Sequence, residues 1–94
     1  MARKYLPQHN IVLLDDNLHT LEYAVKTIVD ILKIADNDAK SMVLNAHQFG
    51  KTIIWTGHKE LAELKLELLK NKEPERINGQ KITTPLNVVL EKKK

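Results

Sequence analysis

The chain has 94 residues, 43% of them hydrophobic, no cysteine and a formal net charge of +3. That length supports one domain with one core, and the missing cysteines exclude a disulfide framework and a thiolate metal site. No apolar run approaches the ~20 residues of a membrane span, no apolar signal core follows the basic start, and four aromatics without interleaved arginines give no nucleic-acid signature. A cytoplasmic protein without membrane or nucleic-acid partners is the expectation.

Residues 1–8 are polar and basic, with Pro7, and read as a short flexible N-terminal extension; residues 9–94 read as a single core domain. Ile11, Val12, Leu13 and Leu14 suit a strand over residues 10–14, buried on both faces, that must end at Asp15, Asp16 and Asn17. A helix follows over about residues 20–32, where Leu21, Ala24, Val25, Ile28, Ile31 and Leu32 form one apolar stripe. Asp36, Asn37 and Asp38 open a second helix, their side chains able to accept hydrogen bonds from the free first-turn amides. Ala39, Met42, Val43 and Ala46 share its apolar face, and Gly50 suits the left-handed position after its end.

The β-branched and aromatic run over residues 51–56 predicts a second strand, broken by Gly57. A third helix is expected over residues 59–72, with Leu61, Leu64, Leu68 and Leu69 available for the core. Residues 72–84 are polar, and Pro74 and the Asn78-Gly79 pair signal a turn. The last strand covers about residues 86–90, and the closing lysines read as a solvated tail. The order is β-α-α-β-α-β, and a small sheet covered by helices on one face is the economical packing, since each helix has one apolar stripe to bury.

The chemistry concentrates at the end of the first strand. Acidic and amide side chains there, just before a helix, can hold a positively charged group, and His47, late in the second helix, supplies a third side. An ammonium has three donors and needs acceptors, which a carboxylate, an amide oxygen and a neutral imidazole nitrogen provide. Taken singly, these residues are ordinary turn, capping and surface groups; their joint occurrence points to amine recognition. A strand ending in Asp-Asp-Asn also opens a phosphorylation-receiver domain. That fold needs about five strand–helix units and a later strand ending in Asp, and neither later strand here ends so. A metal site of Asp15, Asp16, His19 and His47 is chemically possible but matches no ligand spacing. An enzyme lacks a nucleophile: there is no cysteine, and Ser41 is the only serine.

Four blocks carry a family resemblance. The acidic cluster and the following LEY are similar to a pattern close to NDDYTPMEF, and VLNAHQFGK to M-L-x-V-H-x-x-G-K. HKELAELK is similar to T-x-E-x-A-E-x-K, and PLNVVLEK to a closing strand. On these, in order and at compatible spacing from about residue 10 to residue 92, the chain resembles the ClpS family. Those adaptors bind N-terminal degradation signals and hand substrates to the AAA+ unfoldase of a Clp protease. The resemblance implies an α/β (α+β) sandwich, a three-stranded antiparallel sheet packed against three helices. It implies delivery of proteins bearing Phe, Tyr, Trp or Leu at a free N-terminus to an unfoldase of the ClpA or ClpC type. It also implies a free adaptor that is monomeric, without cofactor, metal or catalytic residue.

Carried over by position, Asp15, Asn17 and His47 fall where the family meets the α-amino group, with Asp16 at the pocket's edge and His19 in the place usually taken by Thr. Leu21 takes the gatekeeper position, and Ala24, Val43, Ala46 and Leu86 the lining of the side-chain pocket. Glu60 and Lys65 fall on the surface that docks on the unfoldase, and residues 1–8 on the extension threaded into it. Two departures stand out. Amide and carboxylate are exchanged at the outer positions of the acidic cluster, which keeps one of each around the amine. Ala24 and Ala46 replace the commoner Val, which implies a roomier pocket favouring Phe, Tyr or Trp over Leu. The alternative is a module for a different N-terminus or partner without proteolytic delivery.

Overall fold

A computed structural model of the chain describes residues 7–93. Most of the expected extension, residues 1–6, and the last lysine lie outside the described residues. The elements are β1 (Gln8–Leu14), α1 (Leu21–Leu32), α2 (Asp36–Phe49), β2 (Lys51–His58), α3 (Lys59–Lys70), β3 (Glu75–Ile77), β4 (Gln80–Ile82) and β5 (Val88–Lys92). Among the described residues no helix is long and apolar enough to cross a membrane.

β1 is the centre of an antiparallel sheet ordered β2-β1-β5. Its apolar run is buried because both flanks are covered by strands and one face by helices. Ile11 and Leu13 point to the same face and join Val25 and Ile28 of α1, Ala39 and Ala46 of α2, and Ala62 and Leu69 of α3 in one core. Val12 points the other way and is shielded by its cross-strand neighbours Ile53 and Val89. The three-stranded sheet against three helices is the architecture expected from the sequence.

Helix ends follow local chemistry. Thr20 caps α1, its hydroxyl accepting from the Tyr23 amide at 3.1 Å. Gly50 closes α2 in the left-handed region, φ 91°. Asp36, Asn37 and Asp38 do not cap α2; its N-cap is Ala35, which makes no side-chain bond, and Asp36 and Asp38 instead lie in the first turn, where the helix dipole favours negative charge.

Four further expectations are corrected. Gly57 does not break β2, which continues to His58. The Trp55 indole lies over Gly57 so closely that a Cβ there would fall 2.2 Å from it, so any larger residue would have to displace the ring. β5 starts at Val88, two residues later than expected, because the Val88 amide is turned back to the Leu86 carbonyl. Asn78 and Gly79, both at positive φ, turn a short hairpin of β3 and β4 within the segment read as polar loop. In α3 the buried residues are Ala62 and Leu69, with Leu66 packed beside them, whereas Leu61, Leu64 and Leu68 are exposed. Both stripes have helical spacing; small Ala62 faces the sheet and lets the helix approach it.

Candidate functional site

The loop between β1 and α1 is stitched on both sides. The Leu14 amide donates to the Asn87 carbonyl at 2.9 Å, and the Asp15 amide to the Gly50 carbonyl at 3.0 Å. The end of β1, the start of α1, the last turns of α2 and the segment before β5 are thereby held together around a cavity of about 340 Å³.

Asp15, Asn17 and His47 stand on its rim. His47 Nδ1 lies 3.2 Å from Asp15 Oδ1, with 75% of the His47 side chain and 37% of the Asp15 side chain exposed. A carboxylate only accepts, so His47 Nδ1 carries the proton and neutral His47 keeps Nε2 as an acceptor. Asn17 is exposed on the same loop.

Asp16 has a different task. Its Oδ1 accepts from the amides of Leu18 at 2.8 Å and His19 at 3.1 Å, and its Oδ2 from the Asn87 amide at 3.1 Å and His19 Nδ1 at 2.7 Å. Burial pushes this carboxyl up, but the Leu18 amide together with the ring, amide and charge of His19 outweighs burial and holds it below the ordinary carboxylate range. The His19 ring stacks on Tyr23, centroids 5.0 Å apart, and only 1% of its side chain is exposed. Its Nε2 is buried without a hydrogen-bond partner. His19 thus lines the cavity with a ring that is buried and packed on Tyr23.

The deeper wall is apolar. Ala24, Ala46 and Leu86 are buried, Val43 is partly buried, and Leu21 stands exposed at the mouth. All ten rim and pocket residues singled out in the sequence line this one cavity. Leu13, Leu14, Thr20 and Leu44 line it as well, beyond those the sequence points to. The first two have the sequence character of strand core and Thr20 that of a helix start; Leu44, beside Val43, lies off the expected apolar stripe.

Glu60 and Lys65 lie elsewhere. Lys51, at the start of β2, pairs with Leu14 beside the cavity, whereas His58, at its end, pairs with Gln8. Glu60 is exposed in the first turn of α3, at that far end. Lys65 Nζ sits 5.5 Å from the Trp55 ring centroid. The four residues of the metal alternative divide into a buried pair, Asp16–His19, and an exposed pair, Asp15–His47. Among the described residues no three His, Asp or Glu side chains come together as a metal site.

A family model described as the ATP-dependent Clp protease adaptor protein ClpS matches residues 4–88. The chain is 30% identical over 72 residues to the ATP-dependent Clp protease adapter protein ClpS of Synechococcus sp. (strain CC9902), a match covering 76% of this chain and 69% of that protein. Its fold is similar to the solved structure of Agrobacterium tumefaciens ClpS2 bound to L-phenylalaninamide. That match has a TM-score of 0.77 at 17% identity and covers 95% of this chain and 100% of the other.

Proposed function

The chain belongs to the ClpS family of ATP-dependent Clp protease adaptor proteins, and from that footing we propose that it captures proteins by a free, bulky hydrophobic N-terminal residue and delivers them to a Clp unfoldase. The observation that carries this reading is a single cavity with two chemistries, hydrogen-bond acceptors on the rim and an apolar floor. A protein N-terminus has the same two parts, an ammonium and its first side chain.

In this reading the ammonium donates to the Asp15 carboxylate, the Asn17 amide oxygen and neutral His47. Each charge-assisted bond contributes about 1.5–3 kcal/mol net, and burying a Phe or Leu side chain about 1.5–3 kcal/mol more. After the cost of ordering the peptide, binding near −8 kcal/mol, or about micromolar, is expected. The first side chain enters past Leu21 and packs on Ala24, Val43, Ala46 and Leu86. Asp16 and His19 hold the rim in shape. The exchange of carboxylate and amide at the outer positions is compatible with this, because Asp15 and Asn17 are the two that face outward while Asp16 is committed to the loop.

The role is binding and handover in the cytoplasm, with no bond made or broken by the chain. Residues 9–94 form the adaptor domain, residues 1–8 its extension, and Glu60 and Lys65 face an unfoldase of the ClpA or ClpC type. Docking at the far end of β2 leaves the pocket mouth open to substrate. The solved relative was bound to L-phenylalaninamide, which makes that molecule a direct probe. Titrating it while following backbone amide resonances should shift Asn17, Leu21, His47 and Leu86 together. Spectra unchanged at millimolar ligand would count against the reading.

A further inference from the structure

Leu61, Leu64 and Leu68 on α3 are 45%, 51% and 46% exposed. They recur at i, i+3 and i+7, the a, d, a spacing of a coiled-coil seam. The core-facing residues Ala62, Leu66 and Leu69 lie about a third of a turn away around the helix, so the seam is a second face that folding leaves uncovered.

The flanking charges say what fits it. Glu60 and Glu67 fall at g positions on one side of the seam, and Lys65 at the e position on the other. In a parallel pair of such helices, g of one heptad meets e of the next in the second copy, which places Glu60 against Lys65 in both directions. In an antiparallel pair g meets g and e meets e, which sets Glu against Glu and Lys against Lys. The charge pattern therefore selects one orientation.

We propose that α3 is a self-association surface, through which two copies of this chain pack in parallel along Leu61, Leu64 and Leu68, with Glu60 of each copy bridging to Lys65 of the other. The arrangement is a closed two-fold pair. An isolated helix of this length would not hold, but α3 is already fixed by Ala62 and Leu69 in the core. Three leucines a side fall well short of the ~800 Å² per partner of a stable interface, so the chain is monomeric when dilute and pairs when concentrated. On the docking reading above, pairing hides Glu60 and Lys65 and competes with the unfoldase.

Sedimentation equilibrium of the full chain at low salt, from about 10 μM to about 1 mM, tests this. The mean mass should rise toward twice the chain mass, and Leu64→Lys, at an exposed position, should hold it at the monomer. Glu60→Lys or Lys65→Glu alone should weaken pairing roughly tenfold. An equimolar mixture of those two variants should restore it, because each then meets only opposite charge. Leu61→Cys, in a chain with no other cysteine, should cross-link to its own copy on oxidation, as a parallel pair requires. A monomer throughout, pairing that survives Leu64→Lys, or a mixture that fails to recover would overturn the proposal. The N-terminus reading, tested with peptides at low concentration, stands or falls separately.

Discussion

His19 donates from Nδ1 to Asp16 Oδ2 at 2.7 Å, with 1% of the His19 side chain and 10% of the Asp16 side chain exposed. The same carboxylate takes the amides of Leu18, His19 and Asn87, and so ties the rim loop to the segment entering β5. Its neighbours Asp15 and Asn17 are presented outward because Asp16 is turned in. Asp16→Ala removes a buried acceptor serving four donors and should cost about 2–3 kcal/mol in urea unfolding. Asp15→Ala should cost little stability and most of the affinity for a free N-terminus. Equal stability losses in the two variants would contradict this division of roles.

Asp16 also makes part of the stability sensitive to acid. Its folded carboxyl titrates below its ordinary value, and the unfolded one near about 3.9. The contribution is therefore whole above about pH 4 and is lost as pH falls through the folded value. Comparing urea midpoints from about pH 6 to about pH 2.5 should show a steeper fall in the parent than in Asp16→Asn. Parallel curves would mean that Asp16 is not the group responsible.

His47 serves the amine site as an acceptor. With Nδ1 donating to Asp15 Oδ1 at 3.2 Å, the imidazole keeps Nε2 to accept from an ammonium. His47→Ala should bind a Phe-initiated peptide roughly tenfold more weakly while its urea midpoint stays close to that of the parent. Unchanged affinity in that variant would remove His47 from the amine site.

The pocket's size rests on Ala24 and Ala46, both buried. Ala46→Leu fills the floor and should weaken binding of Trp- and Phe-initiated peptides roughly tenfold while sparing smaller first residues. Leu21→Ala opens the mouth and should admit Ile and Val. Uniform losses across all peptides would point to misfolding rather than to selection by size.

Trp55 reports on its own strand. It is the only tryptophan, it covers Gly57, and Lys65 sits on its ring. Gly57→Ala must displace the indole and should cost about 1–3 kcal/mol with a red-shifted emission. Unchanged emission and stability would show that the ring gives way freely.

These sites divide by how well the sequence announces them. The central strand, α1 and α2 were legible because their apolar residues fall on one face or in one run. The phase of α3 was not, because Leu61, Leu64 and Leu68 and the set Ala62, Leu66 and Leu69 both have helical spacing. Which one turns inward depends on how closely the helix approaches the sheet, a tertiary fact. Gly57 reads as a breaker because the contact that favours a glycine there comes from the Trp55 ring, whose position the sequence does not give. On the rim, the motif resemblance pointed to Asp15, Asn17 and His47, but nothing in the spacing told that Asp16 would be spent on three backbone amides and a buried imidazole. His19 likewise reads as a pocket group, and nothing in the spacing tells that its ring is buried against Tyr23 and bonded to Asp16.

The most direct test of the adaptor reading is fluorescence anisotropy with short peptides that differ only in their first residue. Phe, Tyr, Trp, Leu, Ile and Arg form the panel, with N-acetylated Phe as the blocked control. The account predicts about micromolar binding to the four bulky hydrophobic residues, with Phe, Tyr and Trp ahead of Leu, and none to Arg or the acetylated peptide. Equal binding of free and acetylated Phe peptides, or no binding to any of them, would contradict it.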